Sequence, residues 1–137
     1  MTFAIEQVQG RVLVTVLAIR GDLDGSNYQE FIDLAKSAYQ KGATDFLIDM
    51  SDLNFMSSAG LVALLSIIKL MSGESLPDPE HGWDALHEIH RTRDHGVQQH
   101  VKLLKPLPNV DKVLKMSGMK KFFEIFAEKQ AAIASFG

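Results

Sequence analysis

Phe46, Leu47, Ile48 and Met50 crowd four large apolar side chains into five positions, with Asp49 as the one interruption. A strand lying on a protein surface alternates apolar and polar residues, because successive side chains point to opposite faces. A nearly continuous run of this length is instead apolar on both faces and must be covered on both. Ser51, Asp52, Leu53 and Asn54, three of them polar, follow and read as a loop. A second apolar stretch of helix-forming composition then runs from about Ser58 to Ser72. A doubly buried strand feeding a helix demands an α/β arrangement with helices on a sheet. At 137 residues the chain is long enough to build one such domain around its own core.

The segment before this run supplies the missing partners. Phe3, Ile5 and Val8 alternate with polar residues, Gly10 punctuates, and Val12, Leu13, Val14, Val16, Leu17 and Ile19 follow. The pattern predicts two strands joined by a tight turn near Gln9 and Gly10. Gly21, Asp22, Asp24 and Gly25 mark a turn or loop, with Ser26 as the N-cap of a helix over residues 27–41. Tyr28, Phe31, Ile32, Leu34, Ala35, Ala38 and Tyr39 recur at helical spacing, and Gly42 sits where the chain must leave the helix. The order β-β-α-β-α predicts a mixed sheet of about four or five strands with packed helices.

Composition removes several function classes. The chain has no cysteine, which excludes disulfides, thiolate metal sites and cysteine nucleophiles. Fourteen basic residues against seventeen acidic ones disfavour a nucleic-acid binder. Glu6 and Arg11 within the first eleven residues are unlike a signal peptide. Ser66 and Lys69 break the longest apolar run short of the ~20 residues that span a bilayer. A cytoplasmic protein without direct membrane insertion is expected.

Residues 73–100 stand apart. They hold all five histidines, the single tryptophan, two of the four prolines, and two arginines against six acids. This segment therefore carries −4, and the rest of the chain +1, of the formal charge of −3. Asp78, Pro79 and Glu80 resemble a helix start, and Trp83, Leu86 and Ile89 form a narrow apolar stripe. The segment reads as an insertion with a docked helix, since its few apolar residues cannot close a core. His87 and His90 share a helical face beside Glu88, which offers zinc or nickel chemistry. No recognised zinc spacing supports it, so the reading adopted is no metal and no cofactor. Val101, Leu103 and Leu104 then suggest a short strand, and Pro106 and Pro108 a turn. A short helix carrying Val110, Val113, Leu114 and Met116 should end at Gly118, followed by a last, aromatic-rich helix bearing Phe122, Phe123, Ile125 and Phe126.

The chemistry-bearing stretch is residues 49–61, where a buried strand enters a helix through Ser57, Ser58, Ala59 and Gly60. Serine suits a helix start because its oxygen can accept from an unpaired amide. The small Ala59 and Gly60 would let another surface approach closely. A phosphate on a serine here would meet the positive end of the helix dipole. No G-x-S-x-G elbow surrounds Ser58, and every histidine lies in residues 81–100, so a base near Ser58 would need that segment to fold over it and a serine hydrolase is disfavoured. No Gly-rich phosphate loop is present, which disfavours a kinase.

Three segments resemble the STAS family, shared by sulfate transporters and anti-sigma-factor antagonists. These are Gly21-Asp22-Leu23-Asp24, the signature loop from Asp49 to Leu61, and residues 101–126. The resemblance implies one STAS-like α/β domain over residues 1–137, interrupted at about 73–100. It also implies a non-enzymatic regulatory module that binds an anti-sigma factor or a serine kinase and is switched by phosphorylation. Aligned on Gly60 and Leu61, the acceptor falls on Ser58, and Ser57 stands where the family usually has aspartate. Asp24 matches the acid near the acceptor. The implied partner surface comprises Asp24, Asn54, Met56, Ser57, Ser58, Ala59, Gly60 and Val62. Val62, Ile67 and Leu70 lie off the apolar stripe Leu61, Leu64, Leu65, Ile68 and Met71, leaving them to a partner or to Trp83 and Leu86. The alternative is an unphosphorylated scaffold subunit of a stress-signalling complex or of a membrane lipid transporter. A homo-oligomer stays open.

Overall fold

The computed structural model describes residues 3–72 and 97–137. Strand β1 (Phe3–Gln9) turns back into β2 (Leu13–Leu23) through a turn in which the Gly10 amide donates to the Val12 carbonyl at 3.0 Å. Helix α1 (Tyr28–Gln40), strand β3 (Phe46–Met56) and helix α2 (Ser58–Met71) follow. After residue 97 come β4 (Val101–Leu104), α3 (Pro108–Ser117), a 3-10 turn (Met119–Phe122), β5 (Ile125–Phe126) and α4 (Lys129–Ser135). The five strands form one sheet in the order β1-β2-β3-β4-β5, antiparallel between β1 and β2 and parallel elsewhere. This is the mixed α/β sheet that the apolar pattern predicts. Among the described residues, no helix is long and apolar enough to cross a membrane.

The two sheet faces are covered unequally. On one, Leu17, Ile19, Ile48, Met50, Leu53 and Met56 pack against Phe31 and Ala35 of α1, Leu64 and Ile68 of α2, and Leu114 of α3. On the other, Val14, Val16, Leu47 and Leu104 pack with Ala132, Ile133 and Phe136, from α4 and the residue after it, and with the partly buried Val8, Val12 and Phe126. The buried ammonium of Lys102 on β4 pins this short helix. It donates to the Ser135 carbonyl at 3.2 Å and hydroxyl at 3.0 Å, and lies 4.7 Å from the centre of the Phe136 ring.

Helix α2 is buried almost all round. Ile67 and Leu70 join the same core as the Leu64–Leu65–Ile68 stripe, because α1 packs on α2. Val62 is also buried, at 6% exposure. The hydroxyl of Ser66 needs no external partner, since it donates to the Val62 carbonyl at 2.8 Å.

Four sequence expectations change. Residues Ser51–Asn54 are not a loop: β3 continues through them to Met56. The register along β2 slips twice, between Ala18 and Arg20 and between Gly21 and Asp22. Each slip is a bulge that places two β3 residues where one would stand, so Met50, Leu53 and Met56 reach the core at a spacing of three. Gly21 correspondingly lies inside β2, at the positive φ of 82° that glycine adopts without penalty. The α1 N-cap is Asn27 rather than Ser26. Finally, Phe122–Phe126 form no last helix. The Glu124 and Phe126 carbonyls accept from the amides of Leu103 and Lys105, drawing this stretch into the sheet as β5, and α4 closes the described chain. The insertion helix and the His87–His90 pair fall outside the described residues.

Candidate functional site

The carboxyl ends of β2 and β3 lie side by side, with Leu23 paired to Met56. The Ser57 amide donates to the Leu23 carbonyl at 3.0 Å, so the chain leaves the sheet only after residue 57. That bond holds Ser57 extended, at φ −88° and ψ −178°, and α2 begins at Ser58. The Ser57 hydroxyl accepts from the Ala59 amide at 3.2 Å, and its carbonyl accepts from Gly60 at 2.9 Å. The two serines therefore have different work. Ser57 is the N-cap. Ser58 is the first helical residue, half-buried, and neither its hydroxyl nor its amide has a hydrogen-bond partner among the described residues.

Ser57→Ala should consequently cost about 0.5–2 kcal/mol of stability through loss of the cap. A denaturant melt reads that loss.

The adjoining loop is built on Asp24. Its Oδ1 accepts from the Ser26 amide at 2.9 Å and the Ser26 hydroxyl at 2.5 Å. Asn27 braces it from both sides, accepting from the Asp24 amide at 3.0 Å and donating to the Asp22 carbonyl at 2.8 Å. The side-chain and backbone bonds from Ser26 hold the Asp24 carboxyl below the ordinary aspartate range. A depressed carboxyl contributes stability above its unfolded pKa and loses it as pH falls through the folded one. Ser26→Ala should let the Asp24 midpoint climb back toward that of a free aspartate, which carbon-detected NMR titration of the carboxyl will show.

The remaining predicted surface residues divide between outside and inside. Asn54 is exposed, and its carbonyl accepts from the Asn109 side chain of α3. Ala59 is half-buried beside Ser58. Met56 is 1% exposed and belongs to the core. Gly60 is buried too: a Cβ there would lie 2.3 Å from Met56 Cγ and 3.3 Å from Leu23 Cδ2. Its missing side chain serves the close approach of α2 to the sheet, not an incoming surface. Val62 presents almost no area. Phe55, by contrast, is 49% exposed at the rim of the site and absent from the surface that the sequence suggests. The signal that could have found it is the spacing of Met50, Leu53 and Met56, which leaves two outward residues between successive inward ones. Asn109 carries no comparable signal.

Among the described residues, no group of three or more His, Cys, Asp or Glu could hold a metal ion. His100 Nδ1 lies 2.8 Å from Asp45 Oδ1, at the entry to β3, the strand that separates it from Ser58 at the other end. That pair cannot serve Ser58 as a base. The arrangement can instead present a hydroxyl, an unused amide and a nearby carboxylate to another molecule.

The fold has solved counterparts. It is similar to the anti-sigma factor antagonist SpoIIAA in its unphosphorylated form, at TM-score 0.65 and 21% identity, covering 95% of this chain and 92% of that one. The phosphorylated form of the Bacillus cell fate determinant SpoIIAA aligns at TM-score 0.59 and 21% identity, over 95% of this chain and 96% of that one. An anti-sigma factor antagonist from Mycobacterium paratuberculosis aligns at TM-score 0.69 and 16% identity, over 98% and 92%. A search of curated protein sequences finds no significant match. The model of the STAS domain matches residues 5–74, just over half of the chain and including β1 to α2 with the Ser58 helix start. By that match, and by the sheet and helix start it spans, the chain belongs to the STAS domain family.

Proposed function

We propose that this protein is an anti-sigma-factor-antagonist-type binding module whose partner affinity is set by phosphorylation of Ser58. One observation carries the reading: Ser57 satisfies the cap, leaving the Ser58 hydroxyl and amide uncommitted at the positive end of α2. A phosphate on Ser58 would be stabilised by that helix end and would add about −1.5 to −2 charges at the surface. The structural likeness to antagonists described in unphosphorylated and phosphorylated forms supports the same reading. The partner is an anti-sigma factor or a serine kinase, met through Asp24, Asn54, Ser57, Ser58 and Ala59. The module acts as substrate and ligand rather than as catalyst, in the cytoplasm. Residues 1–137 form one domain with residues 73–100 as an insertion.

Incubation with ATP and an anti-sigma-type serine kinase from the same genome, followed by mass spectrometry, should place the phosphate on Ser58. Modification of Ser57, persisting in full in Ser58→Ala, would overturn the assignment.

A further inference from the structure

Among the described residues, the second sheet face is covered only over its lower half. Helix α4 and Phe136 seat on Val14, Val16, Leu47 and Leu104, and their cluster ends there. Above it, β2 and β3 continue as paired parallel strands through Ala18 and Asp49, Arg20 and Asp52, and Asp22 and Phe55. Parallel strands are ordinarily buried on both faces. Here the side chains of Arg20 and Asp52 are 68% and 69% exposed, and Phe55 is 49% exposed.

The two bulges make this strip. They set Ser51 with Asp52, and Asn54 with Phe55, as pairs between the inward Met50, Leu53 and Met56. Side-chain density on the open face rises accordingly, and bulges commonly re-aim side chains beside functional sites. The charges on the strip do not balance. Arg20 Nε lies 3.8 Å from Asp52 Oδ2, which accounts for one acid. Asp49 is oriented by Ser51, whose amide and hydroxyl donate to its Oδ1 at 3.0 and 2.7 Å, yet it meets no cation among the described residues. Asp22 meets none either among the described residues. An exposed aromatic thus stands beside two uncompensated carboxylates, on a strip about 20 Å long at roughly 3.3 Å per strand residue.

We propose that this open half of the sheet, from Asp49 to Phe55 and from Ala18 to Asp22, docks a basic extended segment of a protein partner. Its cations face Asp22 and Asp49, and an apolar side chain covers Phe55. This surface lies across the sheet from α2, adjoins the Ser58 surface at Asn54, and does not rest on the Ser58 reading.

The test uses the full chain, labelled with nitrogen-15, and a decapeptide of lysines with two leucines. Its glutamate counterpart serves as control. The lysine peptide should shift the backbone amides of residues 18–22 and 49–55, while the glutamate peptide leaves them in place. Asp22→Asn with Asp49→Asn, and separately Phe55→Ser, should each weaken binding about fivefold or more at low salt. Asp22 and Phe55 are exposed and Asp49 lies on the open face, half-buried, so circular dichroism should match wild type. Equal binding by the variants, or shifts as large around Glu30 and Asp33 on α1, would overturn the proposal. So would sedimentation showing a dimer that is lost in Phe55→Ser, because the strip would then be covered by a second copy.

Discussion

Ser58→Asp should bind an anti-sigma-type partner about 30- to 1000-fold more weakly than wild type, while unfolding at nearly the same denaturant concentration. The two halves of that expectation have separate causes. An anion at the first helical residue is favoured by the α2 dipole, and Ser57, not Ser58, supplies the cap, so the fold keeps its supports. The interface keeps none of that benefit. A charge buried there must shed its water, and the Asp24 carboxylate, which Ser26 holds in the ionised form, stands on the adjoining loop. A loss of about 2–4 kcal/mol corresponds to the stated range. Ser58→Ala should bind as wild type and resist the kinase. Calorimetry on the three proteins with one partner decides the matter. Equal affinities for wild type and Ser58→Asp would remove the switch and leave a constitutive scaffold, in a stress-signalling complex or beside a membrane lipid transporter.

Gly60→Val should destabilise the fold by at least about 2 kcal/mol, the second large effect. Any Cβ at residue 60 falls 2.3 Å from Met56 Cγ, well inside van der Waals contact, and valine adds two methyl groups to it. Leu23 Cδ2 at 3.3 Å closes the other side. Relief would require lifting the first turn of α2 off β2 and β3, which strains the Leu23–Ser57 hydrogen bond. Met56→Ala alone should also destabilise, by about 2–5 kcal/mol, because it empties a core position. The double variant should be more stable than the sum of the two losses, with a coupling of about 0.5–3 kcal/mol. Urea melts of the four proteins measure that cycle. A Gly60→Val protein as stable as wild type would mean that α2 is not seated this closely, and the positions of Ser57 and Ser58 would need revision.

Much of the architecture follows from local pattern alone. Phe46–Met50 could only be a strand covered on both faces, and it is. The apolar stretch from Ser58 starts and ends its helix within a residue of expectation, and Gly118 ends α3 in the left-handed conformation expected of a terminal glycine. These features rest on side-chain periodicity and turn chemistry, which each segment carries within itself.

What escaped the sequence depends on partners distant along the chain. The β3 bulges exist only against the register of β2, so Ser51–Asn54 could not be distinguished from a loop by composition. Two-residue β5 owes its extended form to the edge of β4, and seven-residue α4 is too short to stand alone. Its apolar residues hold it on Val14, Leu47 and Leu104, with Lys102 fastening its end. At the site, two adjacent serines are equivalent caps by sequence. Which one caps was decided by a single long-range bond, Ser57 amide to Leu23 carbonyl, which keeps residue 57 in the sheet and lets residue 58 begin the helix. The sequence by itself determined that a serine would stand at this helix start. Only the tertiary structure decided which hydroxyl was left uncommitted, because the choice belongs to the pairing of two strand ends rather than to either residue.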